Sequence, residues 1–380
     1  MRIAHVTPAF HPAHHYGGPP ESAFRLSMAL GELGHEVRVL TTDANGPVTL
    51  DVETNAERFL GPGVTVCYCP RRLREATAPS LLLRLGEYLR WCDVVHLNAV
   101  YNFTSLPTLA LARALDKPVV WSTRGALQGG VSRRSRALKR AWERVAARVA
   151  PTRLVLHATS EQEAAESAVL FPGVAVEVIP NGVVLPPPIT RRPRGDRLVL
   201  GALGRLHPIK GLDRLISAVA LCVERGAPAV ALRLAGGGEA VYHAQLEDQV
   251  RRLGLSSVVT FLGPIEGDAK LRFFESIDVL VAPSLRENFG IAIAEALAHG
   301  VPVIASRGTP WAILEEAEAG LWVDNTAASL LDAFVRIAAC PLERLGTNAR
   351  MLVEREFAWG RAAAAMATVY ERLRVRDIAR

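Results

Sequence analysis

Short apolar runs alternate with amphipathic helical patterns from end to end of the chain, and nothing else limits its possible folds so strongly. A run of four to six aliphatic residues, then a helix-length stretch with a single apolar stripe, makes a parallel strand and the helix that covers it. Strands are predicted at Ile3–Val6, Val37–Thr41, Val64–Tyr68, Asp93–Leu97, Val119–Ser122, Leu154–His157 and Val176–Ile179. A second series is predicted at Leu198–Leu203, Ala231–Ala235, Val258–Phe261, Val279–Ala282, Val301–Ala305 and Leu321–Val323. Between them, 186–195 is rich in proline and arginine, which suits a surface linker. The 380 residues exceed one typical domain and are comfortable for two. The expected class is α/β, with two doubly wound domains: 1–185, then 186–355, the hinge lying near 181–196. The tail, 356–380, is predicted as a helix. Open parallel sheets bind ligands beyond the carboxyl ends of their strands, so two facing domains would share one cleft.

Composition excludes several classes. Apolar residues are 49% and charged residues 22%, a globular profile without an apolar run of about 18 residues that would cross a membrane. Met1-Arg-Ile-Ala-His5 enters a strand at once, unlike a secretory signal. The five cysteines include no C-x-x-C pair, which fits reduced thiols and a cytoplasmic location. A net charge of +6 favours phosphates or an anionic surface as partners. Aromatics at 6% and the lack of any nucleic-acid motif argue against DNA or RNA.

The richest chemistry lies in Ser284–Pro310. Glu287 and Glu295 bracket the turn Asn288-Phe289-Gly290, which opens a helix behind a predicted strand. A helix N-terminus offers free N–H groups and partial positive charge to a phosphate, and the two carboxylates can accept from hydroxyls. Together these describe a sugar-nucleotide site. Arg205 and Lys210 follow another strand in a turn flanked by Gly204 and Gly211. A guanidinium fork and an ammonium there can neutralise a diphosphate leaving group without a metal. No D-x-D triplet, a common metal-diphosphate ligand, occurs in the chain.

Glu287-x7-Glu295, Gly204-Arg205-x4-Lys210-Gly211, Ile179-Pro-Asn-Gly-Val183 and Gly17-Gly18 followed by Leu33-Gly-His-Glu-Val37 stand in one order along the chain. This set resembles the family-4 (group 1) retaining glycosyltransferases of GT-B architecture, over nearly the whole length. The resemblance implies a metal-independent enzyme that moves a sugar from a nucleotide-sugar to a saccharide or lipid-linked saccharide, as in envelope polysaccharide synthesis. Rivals are a nucleotide-sugar epimerase or phosphorylase, and a silent sugar-nucleotide-binding scaffold. Arg205, Lys210 and Glu287 are the implied catalytic groups. Glu287 would hold a sugar hydroxyl and Glu295 the ribose. Gly17, Gly18, Gly204, Asn288, Phe289 and Gly290 would complete the donor site, with the base beside Gly263, Ile265 and the 236–238 glycines. The nucleotide (UDP, GDP or ADP) stays open, and no metal or other cofactor is expected. The family's last helix often packs back on the first domain.

In the first domain His14, Asn98 and Arg124 are candidates for acceptor or leaving-group contact. Arg124 stands where the commonest pattern has histidine, and its charge suits a departing diphosphate, an acidic acceptor or a plain ion pair. His96 and Asn98 occupy an H-x-H position of the family, Asn98 replacing the second histidine. His11, His14 and His15 lack a matching carboxylate or cysteine for a metal site. Finally, 133–148 holds seven basic residues against Glu143, a basic amphipathic helix that fits either a solvated surface or peripheral contact with an anionic membrane.

Overall fold

The computed structural model describes residues 1–73, 76–127, 133–187, 195–226 and 228–375, with only the backbone for 133–136. Residues 188–194 of the predicted linker lie outside the described residues. The chain forms two compact units, Met1–Gly182 with Trp359–Arg380, and Val183–Ala358. These boundaries fall three residues from the expected 185/186 and 355/356. Each unit is described by itself.

The strands of the first unit are β1 (Arg2–Val6), β2 (Glu36–Thr42), β3 (Ala44–Asn45), β4 (Val48–Thr49), β5 (Glu57–Gly61), β6 (Val64–Cys69), β7 (Val94–Asn98), β8 (Val119–Ser122), β9 (Leu154–Ala158) and β10 (Ala175–Val178). Eight form one sheet in the order β10-β9-β8-β7-β1-β2-β6-β5, parallel except for the edge strand β5. Every residue of β7, β8 and β9 is buried, as expected for strands covered on both faces. The sequence reading missed β5 because Glu57-Arg-Phe59 has neither an apolar run nor a buried face, and Phe59 is 70% exposed. It also missed the short hairpin β3–β4. The covering helices are α1 (Gly18–Glu32), α2 (Pro79–Trp91), α3 (Ser105–Ala114), α4 (Arg133–Val149) and α5 (Glu161–Leu170).

The second unit has β11 (Leu198–Leu203), β12 (Val230–Ala235), β13 (Val259–Gly263), β14 (Val279–Ala282), β15 (Val303–Ser306) and β16 (Gly320–Val323). They form one parallel sheet in the order β13-β12-β11-β14-β15-β16. Its helices are α6 (Leu212–Arg225), α7 (Ala240–Arg252), α8 (Gly267–Glu275), α9 (Ile291–Ala298), α10 (Ile313–Glu316), α11 (Ala327–Ala338) and α12 (Leu342–Glu356). The last helix, α13 (Trp359–Val375), belongs to the first unit, where Ala363, Met366 and Tyr370 join the core built on Ile3, Leu30 and Val94.

Three buried histidines lie in the first unit's sheet, and with each ring neutral their hydrogen bonds run in a consistent order. His157 Nε2–H donates to the Ile179 carbonyl at 2.9 Å, so its Nδ1 accepts from the Ser122 hydroxyl at 2.6 Å. Ser122 Oγ then accepts from His96 Nε2–H at 2.7 Å, and His96 Nδ1 accepts from the Tyr370 hydroxyl of α13. His5 Nδ1–H likewise donates to Ser27 Oγ at 2.8 Å, since that hydroxyl is itself given to the Ala23 carbonyl. Burial, helped by the charge of Arg124, lowers His5 to about 3 and His157 to about 4; burial first holds His96 well below its ordinary value.

A histidine depressed in the folded state takes up its proton in the unfolded chain, so its stabilisation is complete above the ordinary value of 6.5 and is lost as pH falls toward the folded value. The unfolding free energy from urea titration, and its midpoint with it, should therefore fall from about pH 7.5 to about pH 5, the free energy by at most about 1.4 kcal/mol per pH unit for each histidine. Equal midpoints at the two ends would show that these rings are not held neutral.

Candidate functional sites

In the second unit the chain winds from β11 out to β12 and β13, then crosses back to β14 on the other side of β11. The loops after β11 and β14 therefore diverge, and a crevice opens beyond their carboxyl ends. The β11 loop carries Gly204, exposed Arg205 and a 3-10 turn, Pro208–Lys210. The β14 loop carries Glu287. Lys210 forms an ion pair with Glu287, which also accepts from Ser284 Oγ at 3.1 Å. A backbone bond from Leu285 N to the Ile209 carbonyl, 2.7 Å, ties the loops together. Arg205 has no hydrogen-bond or ion-pair partner among the described residues.

The turn before α9 is shaped by Gly290, whose φ of +82° is left-handed and whose added Cβ would stand 3.0 Å from Ile293 Cδ1. Trp311, fully buried, donates its indole N–H to the Phe289 carbonyl. The N–H groups of Asn288, Phe289 and Gly290 bond to nothing among the described residues and remain open to an anion. Glu295, one turn into α9, forms an ion pair with Lys270 of α8. The alanines around Glu295, at 292, 294 and 296, leave the Lys270 ammonium as its charged neighbour.

Gly263 and the 236–238 glycines sit at the neighbouring strand ends. Gly204 N bonds to the Ala235 carbonyl at 3.0 Å, Leu206 N to Gly237 at 2.7 Å and Gly236 N to Gly263 at 2.7 Å. Three loops are thereby stitched side by side, with Ile265 following Gly263. At Gly236, φ is +141° and a Cβ would lie 1.8 Å from the Gly204 carbonyl oxygen, so only glycine permits the contact.

In the first unit the reversal falls between β1 and β7. A cavity of about 540 Å³ opens there, lined by Thr7 beyond β1, Asn98 at the end of β7, and Thr123 and Arg124 beyond β8. Tyr16, Tyr101, Phe103 and Trp142 supply aromatic walls. Arg124 Nε donates to Asn98 Oδ1 at 3.3 Å and Nη1 to Asn181 Oδ1 at 2.5 Å. Burial lowers its pKa to about 10. Gly17, with φ +72°, precedes Gly18 at the start of α1 near the rim residues Tyr16 and Pro19. His14 is exposed on the turn before it and does not line the cavity, which places it apart from Asn98 and Arg124.

The sequence reading named Arg205, Lys210, Glu287, Glu295 and glycines 204, 236–238, 263 and 290, which lie in the loops and helix α9 beyond the strands of the second sheet; Gly17 and Gly18, expected at the same donor site, lie instead in the first unit. It missed Lys270 and Glu163, and gave no role in the site to Ser284 or Trp311. Lys270 had a signal: a cation in the first turn of a helix opposes the helix dipole. Glu163 had another, the capping box Ser160-x-x-Glu163, whose Ser160 Oγ accepts from Glu163 N at 3.3 Å.

Two family models match the chain, one described as Glycosyltransferase Family 4 over residues 16–185 and one as Glycosyl transferases group 1 over 197–339. A D-inositol 3-phosphate glycosyltransferase of Saccharomonospora viridis is 34% identical over 186 residues, 46% of this chain and 43% of that protein. The corresponding protein of Actinosynnema mirum is 32% identical over 189 residues, 47% and 45% of the two chains. The chain thus spans about half the length of the curated relatives it matches. Among solved structures, sucrose-phosphate synthase from Thermosynechococcus elongatus superposes with a TM-score of 0.74 at 22% identity, covering 99% and 100% of the chains. Anabaena HepE in complex with UDP-glucose gives 0.68 at 19%, with both chains covered fully (100%). WaaG, a glycosyltransferase involved in lipopolysaccharide biosynthesis, gives 0.68 at 17%, covering 97% and 99%. At these identities the likeness is one of fold.

The stitched loops generate an expectation that needs no relative. Gly236→Ala should cost about 1–3 kcal/mol of stability, because Cβ collides with a backbone oxygen that two loops hold in place. Urea unfolding measures it, and an unchanged midpoint would mean that the loops separate freely.

Proposed function

Because the chain belongs to the family-4 glycosyltransferases and has their GT-B fold, we propose that it moves a sugar from a nucleoside-diphosphate sugar to a hydroxyl of a saccharide or lipid-linked saccharide, with retention of configuration and without a metal ion. The observation that carries this reading is the meeting of Lys210 and Glu287 where the second sheet reverses its strand order. An ammonium for the diphosphate and a carboxylate for a sugar hydroxyl stand within one ion pair of each other. The open N–H groups of Asn288 to Gly290 add positive potential from the α9 side. Arg205, exposed and unpartnered, can turn its fork to the diphosphate. Glu295 takes the ribose hydroxyls, and the base rests beside Gly263 and Ile265.

Chemically, the bond from the anomeric carbon to the diphosphate oxygen breaks while the acceptor oxygen bonds to the same face. The acceptor proton passes to the departing diphosphate oxygen, so no separate general base is required. That Anabaena HepE is in complex with UDP-glucose supports a nucleotide-sugar donor, and the relatives' name supports a hydroxyl-bearing acceptor. The cavity of the first unit is the candidate acceptor site. On α4, Leu138 and Val145 stay 75% and 43% exposed beside Arg140, Arg144 and Arg148, which supports peripheral contact with the anionic inner face of a membrane and an envelope polysaccharide product.

The decisive assay follows free nucleotide, which should appear at substantial rate only when acceptor is added with the matching donor. A thermal-shift panel of UDP, GDP and ADP sugars identifies that donor first, since only the ligand bound by the folded state stabilises it.

Activity with the matching donor should survive EDTA, because Arg205, Lys210 and the α9 turn supply the positive potential. Full loss on chelation, restored by magnesium or manganese, would refute the metal-free reading.

Arg205→Ala should lower kcat more than it weakens donor binding, since negative charge on the diphosphate grows as the glycosidic bond breaks. Loss of one such donor typically slows turnover by about a hundredfold to a thousandfold. Arg205→Lys should recover only part, an ammonium lacking the planar fork. A raised KM at unchanged kcat would make Arg205 a uniform-binding residue instead.

A further inference from the structure

Among the described residues that line the first unit's cavity, Arg124 is the sole charged one. Its guanidinium donates only to neutral amide oxygens, those of Asn98 and Asn181, and its Nη2 has no partner among the described residues. The carboxylate that acts most on it, Glu163, is fully buried and already occupied. Glu163 accepts from Thr123 Oγ1 at 2.7 Å, Gly125 N at 2.5 Å, and the N and Oγ1 of Thr159, both at 2.8 Å. Glu143, behind the cavity wall, accepts from the Tyr101 hydroxyl. A desolvated cation without a carboxylate partner is costly to keep.

The backbone shows that this cost is sustained by the local structure. Arg124 has φ +50° and Gly125 +73°, two left-handed residues in succession, and Glu163 grips the turn on both sides of Arg124. Six non-glycine residues have positive φ among the described residues, and three of them, Ala76, Ala99 and Arg124, line this cavity. Strain gathered at one cavity and held by a buried network marks a place where geometry serves a ligand. Tyr101 and Trp142 also line the cavity, edge to face with ring centroids 5.1 Å apart and the Lys139 ammonium 4.3 Å from the Tyr101 centroid, and aromatic rings of this kind pack against the C–H side of a sugar ring.

We infer that this cavity takes an acidic sugar, whose carboxylate or phosphate binds Arg124 while its ring lies against Tyr101 and Trp142. The inference rests on the transferase reading only in treating the cavity as the acceptor site. Its test uses the full chain and three probes observed by ligand-detected NMR titration at low ionic strength: methyl glucuronide, glucose 6-phosphate and methyl glucoside. At least one acidic probe should bind about tenfold or more tightly than the neutral one, a bidentate guanidinium contact being charge-assisted. Whichever acid binds tells carboxylate from phosphate. Arg124→Gln should bring the three probes to equal affinity, and Arg124→Lys should restore part of the preference, with thermal melting confirming that both variants fold. Equal binding of all three by the wild type, no binding of either acid, or a preference that survives Arg124→Gln would each overturn the inference. Turnover of a nucleotide-sugar without any acid preference would leave the transferase reading standing, whereas failure to bind any nucleotide would remove that reading alone.

Discussion

In a parallel sheet every strand ends at the same edge, and every following helix begins there. The loops at that edge are therefore the place where strand carbonyl ends, helix N–H ends and loop side chains can converge. Where the winding direction reverses, adjacent loops leave in opposite directions and the edge opens. Each unit has one such reversal, β1 against β7 and β11 against β14, and the functional candidates of each unit gather at it. The first reversal opens the cavity that Arg124 lines, and the second joins Lys210 to Glu287. Topology thus decides where chemistry is available before any side chain is chosen.

Charge is handled differently at the two edges. In the second unit each carboxylate of the pair Glu287 and Glu295 holds its own lysine, Lys210 and Lys270. Such half-buried pairs contribute little net stability, because desolvation offsets much of the attraction. Their value lies in placing each carboxylate where it can accept from hydroxyls, beside an ammonium that can turn to a ligand phosphate. In the first unit Arg124 is given only amide oxygens, and that neutral surrounding leaves its charge available.

The fold was legible in sequence wherever strands are buried on both faces. Val119–Ser122, Leu198–Leu203 and Val279–Ala282 were bounded to the residue, because a parallel strand covered on both faces is written as a near-continuous apolar run. Strand β5 was not legible, since an antiparallel edge needs only one modestly apolar face. At the site, residues on the strand-end loops could be named from glycine, lysine and glutamate spacing. Lys270 could not be paired with Glu295 from sequence, because 25 residues separate them and only the order of β13 and β14 around β11 brings α8 to α9. Glu163 was hidden for a similar reason: its capping box looks local, while its bonds reach Thr123 and Gly125 across the β8–β9 boundary.

The histidine network joins these threads. Starting from Arg124, donation runs through Asn98 Oδ1, from the Asn98 amide to His5 Nε2, from His5 to Ser27, and from Ser27 to the Ala23 carbonyl of α1. A second chain runs from Tyr370 of α13 through His96, Ser122 and His157 to the Ile179 carbonyl, two residues from the Asn181 that also holds Arg124. In the first chain every bond has one allowed direction, fixed by Arg124 at one end and the Ala23 carbonyl at the other, and that direction requires a neutral His5. A proton added to His5 would turn its Nε2 from an acceptor into a donor facing the Asn98 amide N–H. The positive charge of Arg124 is one reason those protons are refused, and the neutral rings in turn keep the guanidinium from being crowded by further cations. The last helix is thereby tied to the cavity wall by hydrogen bonds as well as by packing, so α13 takes part in holding Arg124 in the orientation its strained backbone sets.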